Sequence, residues 1–309
     1  MKRIQYHEYG GPEVMRLEDF QPAAPGAGEI LVRVRAAGAN PMDIGIRAGR
    51  LKYVTGRRFP RALGYDFAGV VEAAGPGVTR VRAGDEVVGG TSITASGAFA
   101  DVVIAEERNV VPKPSGLSFE DAATLPIAAV TALQALVTKG GLRAGQRVFV
   151  HSCLGSVGQA AVQIALARGA TVAGSCRDTA QTEARELGAG PVTGFDVDPA
   201  ALRERFDLVL DAAGTLPLRT ARALLTPGGR IVGIHPRPAA FVRSALPGPF
   251  RVLVTRSVTS DLEEVVRLAG RGELRLPIAR AVPLAQGIAA LTDLEQNRLG
   301  KRGKLILLP

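Results

Sequence analysis

A glycine-containing turn between an apolar strand and a helix constrains this chain more than any other feature. Residues 151–158 read His-Ser-Cys-Leu-Gly-Ser-Val-Gly, between a predicted strand at Arg147 to His151 and a predicted helix at Gly155 to Arg168. In that setting Gly155 lets the backbone approach a pyrophosphate at the positive end of the helix, and Gly158 lets the helix pack closely on the strand. This is the context that a dinucleotide-binding turn requires.

The segments that follow continue to alternate between strand and helix. Apolar runs at Thr171 to Ser175, Phe206 to Asp211 and Arg230 to Ile234 are separated by helical patterns, the first of which Asp178 is expected to cap. Strands that alternate with helices form a parallel sheet covered on both faces. The middle of the chain is therefore predicted to be an α/β domain with a Rossmann, doubly wound parallel sheet.

The first third of the chain is predicted to be β-rich. Short strands are expected at Ile30 to Arg35, Ala68 to Ala73 and Asp101 to Ile104, with glycine and proline between them. This pattern is typical of a small, irregular barrel.

A helix-capping pair, Ser118 with Asp121, marks the change to helical pattern, and the segment Leu276 to Pro309 returns to strand, helix and strand. The predicted domains are 1–118, a β-rich substrate domain, 119–273, a Rossmann domain, and 274–309, a return to the first domain.

The end of the second Rossmann strand predicts the cofactor. An NAD site places an acid about 20 residues past the glycines, on the ribose hydroxyls. Here the strand ends Gly-Ser-Cys-Arg, so Ser175 replaces the acid and Arg177 can face a 2′-phosphate. We therefore expect NADPH. The alternative is that Arg177 is a solvated turn residue and that Asp178 contacts the ribose.

Composition limits the partners. The net charge of +9 comes mainly from arginines scattered over the whole length, without the basic runs and interleaved aromatics that stack on bases, so we expect no nucleic-acid partner. A positive field that attracts an acidic or phosphorylated ligand is the alternative interpretation.

No apolar stretch reaches the roughly 20 residues that cross a bilayer, and residues 1–10 contain no apolar run. We expect a cytoplasmic protein with no membrane partner.

Several further segments, with the glycine turn, resemble the medium-chain dehydrogenase/reductase superfamily, in its zinc-independent quinone oxidoreductase and enoyl reductase branch. The segments are Ala39-Asn40-Pro41-Met42-Asp43, Gly64-Tyr65-Asp66-Phe67-Ala68-Gly69, Gly84-Asp85-Glu86-Val87, Gly97-Ala98-Phe99-Ala100, Asp211-Ala212-Ala213-Gly214, Pro227-Gly228-Gly229-Arg230 and Gly303-Lys304. The resemblance covers nearly the whole chain. It implies that the β-rich domain is GroES-like and that the protein is a homodimer.

The resemblance also implies roles for individual residues. Asn40 would lie near the nicotinamide, and the cofactor would be contacted by Thr131, Gly155, Ser156, Val157, Gly158, Ser175, Arg177, Gly214, Ile234 and Lys304. Zinc alcohol dehydrogenases place a cysteine near position 40 and Gly-His-Glu in the next segment, whereas this chain has Asn40 and Gly-Tyr-Asp. We therefore expect no catalytic metal.

Chemistry without a metal favours a conjugated acceptor. A quinone, enone or enoyl thioester spreads the charge that an incoming hydride brings, whereas a plain ketone benefits from a Lewis acid. Orientation of the two reacting π-systems supplies much of the catalysis, and a donor at the developing enolate adds to it. Asn40 or Tyr53 is the candidate donor, and Tyr65 is an alternative pocket residue. Water or Lys139 is the candidate proton source.

The sequence leaves three functions open. The first is an NADPH-dependent reductase of a small-molecule quinone or enone. The second is a biosynthetic enoyl reductase that acts in trans on a substrate bound to coenzyme A or a carrier protein. The third is a crystallin-like NADPH-binding protein with little turnover.

Overall fold

The β-rich first part of the chain forms antiparallel strands in the computed structural model, which describes residues 1–56, 58–202, 205–296 and 303–309. Its strands are β1 (Lys2–Tyr6), β2 (Met15–Asp19), β3 (Glu29–Gly38), β4 (Arg61–Ala62), β5 (Asp66–Ala74), β6 (Glu86–Gly90), β7 (Val102–Glu106) and β8 (Val110–Pro112). Its helices are α1 (Pro41–Arg47), α2 (Lys52–Thr55) and α3 (Phe119–Ala123).

The middle of the chain alternates between strand and helix as predicted. It contains α4 (Pro126–Leu133), a π-helical segment (Gln134–Lys139), β9 (Arg147–His151), α5 (Ser156–Ala167), β10 (Thr171–Ser175), α6 (Gln181–Glu186), β11 (Val192–Thr193), β12 (Phe206–Asp211), α7 (Leu218–Ala223), β13 (Leu225–Gly233), α8 (Pro238–Ala245) and β14 (Phe250–Val252). The last elements are α9 (Thr259–Gly270), β15 (Ile278–Pro283), α10 (Gly287–Glu295) and β16 (Lys304–Leu308).

The strands β9 to β14 form one parallel sheet in the order β11-β10-β9-β12-β13-β14. This is the doubly wound order 3-2-1-4-5-6, in which a ligand binds outside the carboxyl ends of the strands where the order reverses. Here the reversal lies between β9 and β12. The predicted Rossmann sheet is confirmed.

The other strands form a separate, mainly antiparallel sheet system, in which only β15 and β16 of the described strands pair in parallel. β15, β16, β3, β5, β6 and β8 are neighbours in that order, β7 also pairs with β3, and β1 lies between β2 and β4 in a smaller sheet. The C-terminal strand β16 pairs with β3, Ile306 with Gly38 and Leu307 with Ala37.

Two units follow from these contacts. The first comprises Met1–Ile127, Ser257–Gly270 and Leu276–Pro309, and the second comprises Ala128–Arg256 and Arg271–Arg275. These two units begin and end at other residues than the predicted domains do. The predicted division after residues 118 and 273 stays a prediction. No helix in the described ranges is long and apolar enough to cross a membrane.

Of two helix caps predicted from the sequence, one is present in the structure and one is not. Ser118 caps α3 as predicted, because its Oγ accepts from the Asp121 backbone N–H at 3.0 Å. The predicted cap at Asp178 is wrong: Asp178 is the first residue of a 3₁₀ turn before α6, and its Oδ1 accepts from the Gln181 side chain at 3.0 Å.

Candidate functional site

The turn after β9 has the geometry of a phosphate-binding loop. Ser152 has a φ of 65°, a left-handed conformation that non-glycine residues rarely adopt, and the chain then turns into α5 with Gly155 as N-cap. Because Gly155 has no side chain to cap the helix, the backbone N–H groups of the first turn, from Ser156 and Val157 onward, are left for an external acceptor.

Gly158 is required by the packing of that turn. A Cβ atom at Gly158 would lie 2.0 Å from the Ser152 carbonyl oxygen and 2.9 Å from Cys153 backbone atoms, whereas one at Gly155 would lie no closer than 3.3 Å to Ser152. The helix therefore approaches the turn as closely as the sequence predicted, and the absence of a side chain at Gly158 makes the approach possible.

His151 joins the carboxyl ends of two strands. Its Nδ1 lies 2.7 Å from Ser175 Oγ at the end of β10, and its Nε2 lies 2.9 Å from Thr215 Oγ1 in the loop after β12. Burial lowers the pKa of His151, against the opposing effect of the Asp211 carboxylate. His151 is thus a neutral bridge between strand ends, with both ring nitrogens engaged.

Asp211 organises the loop after β12. Its Oδ1 accepts the backbone N–H groups of Ala213, Gly214 and Thr215 at 3.3, 2.8 and 3.3 Å, and its Oδ2 accepts that of Leu216 at 3.3 Å. The predicted residue Gly214 has a φ of 72°.

His235 packs against that glycine. A Cβ atom at Gly214 would lie 2.5 Å from the His235 ring, and both residues line a cavity of about 200 Å³. The predicted residue Ile234 follows β13 directly and is half-buried. Sequence reasoning missed His235, although it stands next to Ile234 at a strand end.

The adenosine-side candidates have different surroundings. Arg177 is exposed just past β10, whereas Ser175 is fully buried, with its Oγ directed at His151 and 3.4 Å from the Ser152 backbone N–H. Asp178 faces the backbone at Gly194, where an added Cβ would lie 2.7 Å from the carboxylate. The cofactor contacts of these residues stay predictions.

Thr131 and Cys153 are buried in the same unit. Thr131 Oγ1 lies 2.9 Å from Thr255 Oγ1. Burial raises the pKa of the Cys153 thiol to about 12, and the Cys176 thiol, with which it is hydrogen-bonded, adds to the rise. Cys153 is therefore a packing residue of the turn and is protonated at neutral pH.

A second group of polar residues lies in the first unit around Asn40, where the chain leaves β3. Lys304 Nζ donates to Asn40 Oδ1 at 2.6 Å and to Asp66 Oδ2 at 3.0 Å, and Asn40 Nδ2 donates to Asp66 Oδ2 at 2.9 Å. All three side chains are buried, and the pairing of β3 with both β5 and β16 brings them together. We call Asn40, Asp66 and Lys304 the buried triad.

Asp43 lies against the buried triad. Its Oδ2 accepts the Asn40 backbone N–H at 2.8 Å, while its Oδ1 is buried without a hydrogen-bond partner in the described part of the chain. Burial raises the pKa of Asp43 to about 7, and the charge of Asp66 adds to the rise. Burial also raises the pKa of Asp66, against the effect of the Lys304 ammonium.

The two tyrosine candidates differ sharply. Tyr53, on the short helix α2, is 90% exposed, whereas Tyr65 is buried with its hydroxyl 2.9 Å from Ser257 Oγ. Tyr53 as the enolate donor stays a prediction. Across the described ranges, no group of three or more His, Cys, Asp or Glu side chains is arranged to hold a metal ion.

Asp66 and Asp43 are the residues that sequence reasoning did not select. A signal for Asp66 exists, because Asp66 and Lys304 each stand directly before an apolar run of their strand, Phe67 to Val71 and Leu305 to Leu308. A charge in such a strand requires a buried partner.

Comparison with known proteins identifies the family. Residues 26–115 match a family model described as alcohol dehydrogenase GroES-like domain, and residues 187–307 match one described as zinc-binding dehydrogenase. A quinone oxidoreductase of Pseudomonas aeruginosa is 32% identical over 330 aligned residues, which cover 100% of this chain and 99% of the relative. This chain belongs to the quinone oxidoreductase family.

Solved structures agree with that family. The Escherichia coli quinone oxidoreductase complexed with NADPH has a TM-score of 0.84 and 26% identity, and the alignment covers 100% of both chains. The CurK enoyl reductase has a TM-score of 0.86 and 26% identity, with 99% of this chain and 98% of that chain covered. The predicted superfamily and fold class are confirmed, and the protein is an oxidoreductase that uses a nicotinamide cofactor.

Proposed function

We propose that this quinone oxidoreductase family member binds NADPH on its second unit and reduces a quinone, an enone or an enoyl thioester. The observation that carries the proposal is the turn from Ser152 to Gly158. Its uncapped helix start lies at the carboxyl edge of a sheet in the 3-2-1-4-5-6 order, beside the point where that order reverses.

The preference for NADPH rests on Arg177. Its guanidinium is exposed at the end of β10 and makes no ion pair in the described ranges, so it is available to a 2′-phosphate. Asp178, the alternative ribose ligand, accepts a hydrogen bond from the Gln181 side chain through its Oδ1. The available guanidinium of Arg177 therefore favours NADPH over NADH.

The acceptor class follows from what the site residues can do. When bound, reduced nicotinamide supplies a hydride from its C4 carbon. His151 is neutral and engaged at both nitrogens, so it is poorly suited to hold a proton for the acceptor. A conjugated acceptor needs little acid assistance, because it spreads the added charge over its own π-system.

Cofactor preference is tested with Arg177→Gln. Loss of a charge-assisted contact worth about 1.5–3 kcal/mol predicts a fall of roughly 10- to 150-fold in the ratio of kcat/KM for NADPH over NADH. Arg219→Gln, which removes an exposed arginine from α7, is the matched control and is expected to leave the ratio unchanged. An unchanged ratio in Arg177→Gln would refute the assignment of Arg177.

Enoyl thioester reduction is the second candidate. The structural likeness to the CurK enoyl reductase favours it, and the net charge of +9 suits the phosphates of coenzyme A or a carrier's prosthetic group. A panel containing a quinone, an enal and a crotonyl thioester separates the candidates by kcat/KM. Binding of NADPH without reduction of any acceptor would instead favour a crystallin-like binding protein.

A further inference from the structure

One edge of strand β7 pairs with no other strand in the described part of the chain. The opposite edge pairs with β3 in regular antiparallel register. At one end of this pairing the Val34 N–H donates to the Asp101 carbonyl oxygen at 3.0 Å. At the other end the Glu107 N–H donates to the Gly28 carbonyl oxygen at 2.9 Å. Because residues of antiparallel strands alternate between hydrogen-bonded and non-hydrogen-bonded pairs, these two bonds fix which residues of β7 face β3.

The outward residues of β7 leave their backbone groups unpaired. Counted in steps of two from the flanking bonds, Val103 and Ala105 direct their N–H and C=O groups at β3. Val102, Ile104 and Glu106 direct theirs away from it, and none of these groups has a hydrogen-bond partner among the described residues. Val102 is only 1% exposed, and buried backbone groups without a partner are rare. The outer edge of β7 is therefore suited to an external partner.

The outer edge of β7 borders a cavity of about 780 Å³, which is lined only by residues of the first unit. Val102–Glu106 form one wall, and parts of the segments 20–23, 58–62 and 92–97, with Arg3, form other walls. A cavity of this size accommodates a ligand. The five residues of β7 offer it about 17 Å of strand edge.

Three arginines line the cavity, and none of them forms an ion pair with a described carboxylate. Arg61 donates to two backbone carbonyl oxygens, those of Thr55 and Thr94. Arg3 donates its Nε–H to a neutral glutamine side chain. Arg58 is exposed. Their positive charges are thus available to an acidic ligand.

The charge of the cavity differs between the two ends of β7. Both glutamates that line the cavity lie at the Glu106 end, because Glu29 is the partner of Glu106 in the register with β3. Glu106 also forms an ion pair with Arg108. Arg3 lies at the opposite end, where it forms a bridge with Ala100. The end beside Arg3 therefore favours a negative group.

We propose that the outer edge of β7 binds an extended peptide segment of another protein, which adds as a strand and places an acidic side chain beside Arg3. A peptide in the strand conformation offers alternating N–H and C=O groups at the spacing of the free groups on β7. The arginines supply the complementary charge. Every residue of this site lies in the first unit, so peptide binding goes beyond the proposed function and does not depend on it.

Two other occupants fit the site less well. A phosphate or a free carboxylate would engage the arginines but would leave the outward C=O groups of β7 without donors. In a second copy of the chain β7 would be recessed behind the same cavity walls, as the burial of Val102 shows, so two such edges are kept apart by their own walls. A slim segment that projects from its own protein can enter the cavity.

Amide exchange measured by NMR on the isotopically labelled full chain tests the edge directly. In the free protein, the Val103 and Ala105 amides are expected to exchange more slowly than those of Ile104 and Glu106, because only the first two donate to β3. The probes are acetyl-Glu-Thr-Val-Thr-Val-amide, acetyl-Val-Thr-Val-Thr-Glu-amide and the two counterparts that carry lysine in place of glutamate. A glutamate peptide in excess is expected to slow exchange of the Ile104 and Glu106 amides by about tenfold or more.

Variants separate backbone pairing from charge. Ile104→Pro removes an outward N–H without touching the bonds to β3, so it is expected to weaken peptide binding about two- to tenfold. Ile104→Ala keeps that N–H and is expected to bind like the wild type. Arg3→Glu is expected to abolish or reverse the preference for glutamate over lysine peptides, and Arg82→Glu, at an exposed arginine outside the cavity, is the charge control. Circular dichroism establishes that each variant is folded.

The results separate the possible occupants. Slower exchange at Ile104 and Glu106 with a glutamate peptide, together with loss of the preference in Arg3→Glu, supports the proposal. Unchanged exchange with all four peptides at millimolar concentration overturns it, and so does an effect that Ile104→Pro and Arg3→Glu leave intact. Protection of the same amides that grows with protein concentration, accompanied by a dimer in sedimentation, would assign the edge to a second copy and overturn it. Each of these results leaves NADPH binding untouched.

Discussion

Replacing Asp43 with asparagine tests whether a buried carboxyl group destabilises this fold as the pH rises. Asp43 is buried beside Asp66 and Lys304, and burial raises its pKa from the usual value of about 3.9 to about 7. A raised acid pKa means that the native state holds the proton more tightly than the unfolded chain. The stability that this group contributes is therefore fully present below about pH 4 and is lost as the pH rises towards 7.

The size of the effect follows from the shift. Three pKa units at about 1.36 kcal/mol each amount to about 4 kcal/mol between the two ends of that pH window. Asp43→Asn keeps an oxygen for the Asn40 backbone N–H and removes the titration. The unfolding free energy of the variant minus that of the wild type should rise by roughly 1.4 kcal/mol per pH unit from pH 5 to pH 6.5, and then level off above pH 7.

Urea unfolding at pH 5, 6, 7 and 8 measures this difference, provided that the m-value stays constant. Asp19→Asn is the matched control, because Asp19 is exposed and a hydrogen bond from Lys2 lowers its pKa, so its difference should be flat over this range. A flat difference for Asp43→Asn as well, or one that falls as the pH rises, would refute the reasoning.

Three further predictions concern the buried triad, the turn and the strand-end bridge. Lys304→Met leaves Asp66 as an unpaired buried carboxylate, so the free energy of unfolding at pH 8 should fall by about 3–5 kcal/mol and by less at pH 5, in chemical denaturation at both values. Gly158→Ala should lower the melting temperature and weaken NADPH binding at least tenfold by calorimetry, because its Cβ has no room, whereas Gly155→Ala should fold with near wild-type stability; equal melting temperatures would contradict this. His151→Gln should cost about 1–3 kcal/mol of stability and change kcat by only a few-fold, and a kcat loss above 100-fold in a folded variant would show an acid role.

The parts of the fold that the sequence predicts are those specified by neighbouring residues. The strands Arg147–His151, Thr171–Ser175 and Phe206–Asp211 have the predicted bounds, because short apolar runs between turns carry their own signal. The turn ending at Gly158 was equally readable, since strand, glycine loop and helix follow one another directly. The Ser118 cap is local in the same way.

The buried triad could not be predicted, because it depends on strand register over long separations. Lys304 and Asp66 are 238 residues apart in sequence, and they meet because Gly38 of β3 pairs with Asp66 on one side and with Ile306 on the other. No local pattern specifies that pairing. Asn40 and Lys304 were both selected through resemblance, but their contact with each other was not foreseen.

Partners of polar side chains were also hard to predict. The sequence correctly located Ser175 at the end of its strand, yet its hydroxyl bonds to His151, a residue of the neighbouring strand. Asp178 resembled a helix cap in sequence, but the chain makes a 3₁₀ turn there and the carboxylate turns to Gln181. Nearby sequence determines where a residue lies along its strand, whereas the hydrogen-bond partner of its side chain depends on which strands are neighbours in the sheet.

Calorimetric titration of the wild-type protein with NADPH and with NADH tests the central claim most directly. We expect saturable one-to-one binding of both reduced nucleotides, with a lower Kd for NADPH, because the turn binds the pyrophosphate common to both and Arg177 adds a contact to the 2′-phosphate. Tighter binding of NADH would contradict the assignment of Arg177. The absence of any binding heat or thermal stabilisation with either nucleotide would contradict the whole account.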